Sequence, residues 1–116
     1  MVSRAATGKT LQEYFVENLW SEIGASADAK YSTDGDGVAF ALGGLNMRTR
    51  DYALFGELIR NHGRRGGKQI IPAKWVAIST SQTAPLAAEG AGVSTEDGSP
   101  FGYGYQWWIP SHSAVE

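Results

Sequence analysis

The sequence predicts an α+β chain: about three helices joined by short strands and closed by a C-terminal strand. Three observations carry this. A Thr-x-x-Glu capping box at Thr10 opens a segment with one apolar face. A second one-sided apolar segment runs from Thr49 to Gly63. Near the end, "FGYGYQWW" (Phe101 to Trp108) has the aromatic composition of a strand. At 116 residues the chain suffices for one small domain and not for two.

The first helix is expected over "TLQEYFVENLWSEIG". Thr10 caps it, Glu13 closes the box, and Leu11, Tyr14, Phe15 and Leu19 fall at i, i+3, i+4 and i+8 on one buried face. Gly24 is its natural stop. "ASADAKYSTDGDG" then reads as a polar, turn-rich connection. "VAFALGG" (Val38 to Gly44) fits a buried strand or an extended segment, and periodicity does not separate the two.

The second helix is expected from Thr49, a plausible N-cap, with Asp51 in the first turn, where a negative charge suits the helix dipole. Tyr52, Phe55, Leu58, Ile59 and His62 trace its apolar face, and Gly63 ends it. Gly56 within it costs about 1 kcal/mol relative to alanine, which a closely packed backbone would explain. "RRGG" predicts a turn and "KQII" a short strand. Pro72 suits the first position of a third helix, "PAKWVAIST", with Trp75, Val76 and Ile78 buried. Residues 79 to 100 are polar and turn-forming, and "YGYQWWI" follows as a strand whose alternation would set Tyr103, Tyr105 and Trp107 against Gln106 and Trp108. Gly102 and Gly104 would let a neighbouring backbone approach. No internal repeat or domain boundary is evident.

Composition narrows the function. The chain is 42% hydrophobic and 19% charged, which is globular rather than disordered. A net charge of −2 gives no electrostatic case for nucleic acid or an anionic membrane. Without cysteine there is no thiolate nucleophile and no cysteine zinc site. "MVSRAATGKT" lacks the apolar run of a signal peptide, and no window approaches a membrane span, so a cytoplasmic location is expected.

The motifs are weak one by one. "DGDG" (Asp34 to Gly37) starts like a calcium loop, but Val38 and Leu45 stand where later oxygen ligands are needed, so it reads as a solvated turn. "GRRGGK" (Gly63 to Lys68) fails the phosphate-loop spacing at His62 and Gln69 and reads as a basic turn closing a helix. His62 and His112, far apart in sequence, do not make a metal site; His62 suits a helix C-terminus and His112 lies beside the aromatic run. There is no G-x-S-x-G elbow and no S-x-x-K, so no complete catalytic constellation is present. No metal and no cofactor is expected.

Taken in order, "TGKTLQEYFVENLWSEIGA", "GGLNMRTRDYALFGELIRNHGRRGGKQIIPAKWV" and "GYGYQWW" resemble successive blocks of the serine hydrolases with a β-lactamase (transpeptidase-like) fold. That family includes class C β-lactamases, related esterases and 6-aminohexanoate-dimer hydrolases. The Gly-Leu, Thr-Arg-Asp and Phe-Gly run, with the closing Gly-Tyr-Gly-Tyr-x-Trp-Trp, is most like the esterase and dimer-hydrolase branch. The resemblance spans Thr7 to Trp108.

In that family a serine of S-x-x-K attacks an acyl carbon, a lysine moves its proton, a Y-x-N tyrosine serves as a further acid or base, and a glycine-rich third motif borders the oxyanion site. The resemblance places S-x-x-K and Y-x-N before Thr7 and the third motif after Glu116. It therefore implies that residues 1–116 are a partial hydrolase domain, the segment between the second and third motifs, with no catalytic residue of its own. It also implies a small ester or amide substrate for the intact protein, and a cleft approached by Gly43, Asn46, Trp107 and Trp108. Arg48, Arg50 and Asp51 are expected to cap and ion-pair around the second helix. Apolar surface that meets the remainder of the fold would lie open, leaving the isolated chain marginally stable. The alternative is a non-enzymatic module in which Trp107 and Trp108 stack on sugars or flat ligands.

Overall fold

In a computed structural model, residues 2–41, 43–81 and 102–109 are described. Their contacts fall into two compact units, Met1–Ile70 and Ile71–Glu116.

The first unit opens with a short helix that the apolar pattern did not reveal, α1 (Val2–Thr7), which buries no side chain. The capping box then forms as expected. The Glu13 N–H donates to Thr10 Oγ1 at 3.2 Å, and the Thr10 N–H donates to the Glu13 carboxylate at 2.8 Å. Such a cap contributes about 0.5–2 kcal/mol. It starts α2 (Leu11–Phe15), which passes without a break into a π-helical turn over Val16–Trp20. There the Ser21 N–H reaches back five residues to the Val16 carbonyl at 3.1 Å.

That widening corrects the expected face. Five-residue spacing brings Phe15 and Trp20 together, ring centroids 5.5 Å apart, and turns the buried stripe onto Trp20 and Ile23. Tyr14, expected inside, is exposed, while Leu11, Phe15 and Leu19 are half-buried. The Trp20 indole N–H donates to the Ala27 carbonyl, which ties the following loop to this turn.

After the loop, β1 (Lys30–Tyr31) pairs antiparallel with β2 (Leu45–Asn46), Lys30 opposite Asn46 and Tyr31 opposite Leu45. Between them "VAFALGG" is not a buried strand: one bridge links Thr33 to Ala39, Ala39 is buried, Val38 and Phe40 are exposed, and Ala41 and Gly43 lie in a turn, with the Gly44 N–H on the Phe40 carbonyl.

The second long helix, α3, spans Thr49–Arg60. Its N-cap is Arg48 in an extended conformation, not Thr49, and no side chain caps it. Leu58 is buried, Phe55 and Ile59 half-buried, and Tyr52 and His62 exposed, so only the middle of the expected face packs. A Cβ on Gly56 would meet nothing within 4 Å, so no packed backbone explains that glycine. Gly63 ends the helix, its N–H on the Leu58 carbonyl. The "RRGG" turn then joins β3 (Arg64–Arg65) to β4 (Lys68–Gln69), with Gly66 and Gly67 both at positive φ, as a two-residue hairpin turn requires. Lys68 pairs with Glu22 at 2.6 Å, fastening this hairpin to the turn that follows the π-helical segment.

In the second unit, α4 spans Ala73–Ser79. Pro72 stands one position earlier than expected, as N-cap, because its ψ of 129° is still extended while its carbonyl accepts the first helical bond, from Val76 N–H. Val76 is buried, but Trp75 and Ile78 are exposed; Ser79 is buried in their place.

The aromatic run is not one strand. Gly102–Tyr103 (β5) and Trp108–Ile109 (β6) pair antiparallel, Gly102 opposite Ile109 and Tyr103 opposite Trp108. The chain reverses between them, with Gln106 at φ 63° and the Gly104 N–H on the Trp107 carbonyl at 2.9 Å. A period-two division of this run into faces therefore does not hold. Gly104 does admit a close backbone: its missing Cβ would lie 2.3 Å from the Ser79 carbonyl oxygen. Residues 82–101 and 110–116, with most of the expected polar connection and His112, lie outside the described residues. No helix among the described residues is long and apolar enough to cross a membrane.

Candidate functional site

The four residues expected at a cleft fall into two local groups, one in each unit. Gly43 and Asn46 flank the turn into β2. Around them the Ser32 N–H donates to the Gly44 carbonyl at 2.7 Å, the Phe40 N–H to the Ser32 carbonyl at 2.8 Å, and the Gly44 N–H to the Phe40 carbonyl at 2.9 Å. These bonds fix the backbone on both sides of Gly43, which is itself exposed, with nothing within 4 Å of a Cβ position. Gly44 is the crowded glycine, its Cβ position 2.5 Å from the Phe40 carbonyl oxygen.

Asn46 is exposed, and its Nδ2 donates to the Gly44 carbonyl at 3.1 Å, which folds the side chain back along its own strand. The neighbouring Leu45 carbonyl accepts the Tyr52 hydroxyl from α3 at 2.9 Å. On the paired strand, Phe15 meets Tyr31 edge-on at 5.8 Å, and burial pushes the Tyr31 phenol above its usual range.

The first turn of α3 holds this hairpin from both ends. Asp51 is 0% exposed, and its carboxylate accepts the Ser26 N–H at 2.8 Å and the Ser26 hydroxyl at 3.2 Å, just ahead of β1. Tyr52 holds β2. This corrects the expectation that Arg48, Arg50 and Asp51 ion-pair. Among the described residues the ion pairs are Lys9–Glu17, Arg60–Glu57 and Lys68–Glu22, because both oxygens of Asp51 are taken by Ser26.

In the second unit, Trp108 is 48% exposed and meets Tyr103 edge-on at 4.9 Å, while Trp107 is half-buried. The Tyr105 N–H donates to the Ser79 carbonyl at 2.9 Å, binding the hairpin turn to the end of α4. That contact sets Tyr105 beside Trp75, ring centroids 5.7 Å apart, with Trp75 54% and Tyr105 48% exposed. Sequence reasoning missed this open aromatic pair. It assigned Trp75 to the buried face of a helix and Tyr105 to one side of a strand, and only the chain reversal at Gln106 joins them.

Four serine hydroxyls among the described residues have local acceptors. Ser21, Ser79 and Ser81 donate to carbonyls of their own helices, and Ser26 donates to Asp51. "DGDG" is a turn, with Asp34 Oδ1 accepting the N–H groups of Asp36 and Val38. No cluster of three metal-ligating side chains occurs among the described residues. "GRRGGK" lies in a strand–turn–strand hairpin, whereas a phosphate loop leads from a strand into a helix.

No family model matches the chain. Over 104 residues, 88% of its length, it is 29% identical to the 6-aminohexanoate-dimer hydrolase of Paenarthrobacter ureafaciens, of which it covers 26%. A solved structure described as "Putative 6-aminohexanoate-dimer hydrolase from Bacillus anthracis" superposes on 94% of the chain with a TM-score of 0.76 and 39% identity, again over 26% of that protein. The chain thus spans about a quarter of the length of these two relatives, and it shares with that quarter both sequence and fold.

Proposed function

We propose that this chain is the scaffold and pocket-wall part of a β-lactamase-fold serine hydrolase that cleaves an ester or amide bond in a small molecule, and that its nucleophile lies outside these residues. The observation that carries the reading is the match in fold and sequence, over 94% of the chain, to 26% of the structure described as a putative 6-aminohexanoate-dimer hydrolase. Both relatives bear the dimer-hydrolase name, which supports that branch over the β-lactamases.

Within this reading Gly43 offers an uncovered backbone, Asn46 a polar side chain beside the ladder, and Trp107 and Trp108 an aromatic wall. The division of labour follows from chemistry. Acyl transfer needs an activated hydroxyl and a base within hydrogen-bond reach, whereas rigid walls orient the substrate and exclude water. A hairpin held from both ends by Asp51 and Tyr52 suits the second task.

The open Trp75–Tyr105 pair and Trp108 favour one other reading, a module that stacks on sugars or flat ligands. One set of assays separates the two. The chain is incubated with a fluorophosphonate and with a chromogenic short-chain ester, then titrated with oligosaccharides while tryptophan fluorescence is followed. The hydrolase-scaffold reading expects no serine adduct, no turnover and no saturable sugar response. Serine-dependent turnover overturns the placement of the nucleophile, and saturable sugar binding favours the module.

A further inference from the structure

The turn "DGDG" holds two Asp–Gly pairs, Asp34–Gly35 and Asp36–Gly37, that neither reading uses. An Asp–Gly pair carries an intrinsic side reaction, because glycine has no side chain to shield its backbone nitrogen. That nitrogen attacks the aspartyl Cγ and forms an N–Cγ bond. The Cγ–OH bond breaks, the hydroxyl leaves with the nitrogen's proton as water, and a five-membered succinimide results. Water then adds back. Opening at Cγ restores aspartate. Opening at the main-chain carbonyl leaves isoaspartate, with the backbone running through the side-chain carbons. The net change is an isomerisation that consumes nothing.

Both pairs are exposed, and a Cβ at Gly35 or Gly37 would meet nothing within 4 Å, so crowding does not separate them. Hydrogen bonding does. To react, a carboxyl must swing over the nitrogen that follows it. Asp34 would give up both bonds to its Oδ1, from the Asp36 N–H at 3.0 Å and the Val38 N–H at 2.9 Å. The Asp36 carboxylate takes no hydrogen bond or ion pair among the described residues. Its pair gives up one bond, from the Gly37 N–H to the Asp34 carbonyl at 3.1 Å. One bond between neutral groups is weaker than two to an ionised carboxylate, so the second pair opens more readily.

We propose that Asp36 is a spontaneous modification site, isomerising to isoaspartate through a succinimide with Gly37, while Asp34 is protected by the turn it caps. The product is a substrate for the class of repair enzymes that methylate an isoaspartyl α-carboxylate. It adds a backbone carbon inside the turn closed by the Asp34 N–H on the Val38 carbonyl at 3.0 Å, next to the Thr33–Ala39 bridge. Isomerisation therefore loosens the segment that leads to Phe40. The proposal does not rest on the hydrolase reading.

The test ages the full chain in warm, mildly acidic buffer, with a parallel sample in concentrated urea. Trypsin releases Tyr31–Arg48, which holds both pairs and no other aspartate, and electron-transfer fragmentation locates isoaspartate within it. Asp97–Gly98 lies outside the described residues and in another peptide. Expected in buffer is an excess of isoaspartate at Asp36 over Asp34 of about threefold or more, a modest factor because opened molecules react at both pairs alike. In urea the two positions should approach parity. Asp36→Glu, whose longer side chain cannot close a five-membered ring, should leave only the low level from Asp34. The proposal is overturned if neither position isomerises, if the two react equally in buffer, or if Asp34 leads. It is also overturned if the same preference persists in urea, where it would belong to the sequence and not to the turn. A chain too unfolded to hold the turn gives equal reaction and counts against the proposal as well.

Discussion

The buried carboxylate of Asp51 holds Ser26 through two hydrogen bonds, one from the backbone N–H at 2.8 Å and one from the hydroxyl at 3.2 Å. This bond pair joins α3 to the loop that leads into β1, whose partner strand β2 carries Asn46. Asp51→Ala leaves the Ser26 N–H without its acceptor and should cost about 1–3 kcal/mol. Asp51→Asn keeps an acceptor and should cost less than half as much. Urea midpoints of the two variants check this, and an Asp51→Ala midpoint equal to that of the parent chain contradicts it.

Two glycines should respond in opposite directions. A methyl at Gly104 meets the backbone oxygens of Ser79 and Ser81 at 2.3 and 2.8 Å, and neither can move away without breaking the hairpin's seat on α4. Gly104→Ala should destabilise by about 1–3 kcal/mol. Gly56→Ala, mid-helix with open space around it, should stabilise by about 0.5–1 kcal/mol. Thermal melts of both variants read the signs directly.

Glu57 gives a pH signature. The Arg60 guanidinium bonds both of its carboxylate oxygens at 2.6 and 2.7 Å, and together with the Asn61 amide holds the carboxyl at about 2, below its ordinary 4.5. A depressed folded value means that unfolding favours protonation. The contribution of this pair is therefore whole above about 4.5 and is lost as pH falls toward about 2. The pair is exposed, so the effect on stability is small. Titration of the Glu57 carboxyl carbon should show a midpoint near 2, and Arg60→Ala should return it toward 4.5. A midpoint already near 4.5 in the parent chain would refute the pairing.

The isolated chain should be marginally stable. Its buried hydrophobic residues among those described are Trp20, Ile23, Ala39, Leu58 and Val76, while Phe40, Trp75 and Trp108 stand open to solvent. So small a core leaves little margin over chain entropy. A broad melt and limited amide dispersion are expected, and a sharp cooperative transition would contradict this.

What could be read from the sequence was local. The Thr10–Glu13 box, α3 and the Gly66–Gly67 turn each follow from a few adjacent residues, and each forms. The failures are tertiary. Periodicity assumes a regular helix, so it placed Tyr14 inside and could not see the π turn that buries Trp20 and Ile23. It also read Tyr103 to Ile109 as one strand, because alternation carries no mark of the reversal at Gln106. Asp51 looked like a dipole residue, and nothing in the spacing showed that Ser26, 25 residues away, would take its carboxylate. Of the candidate site, the residue types were legible from family likeness, whereas the clamp from Asp51 and Tyr52 and the Trp75–Tyr105 pair needed coordinates.

The central claim is that this chain is the wall of a serine hydrolase whose nucleophile lies elsewhere in the same polypeptide. Sequencing the coding DNA on both sides of residues 1–116 tests it most directly. The account predicts, in the same reading frame, an upstream S-x-x-K followed by Y-x-N and a downstream glycine-rich motif. In-frame stop codons immediately upstream, or a continuous upstream frame without S-x-x-K, would contradict it.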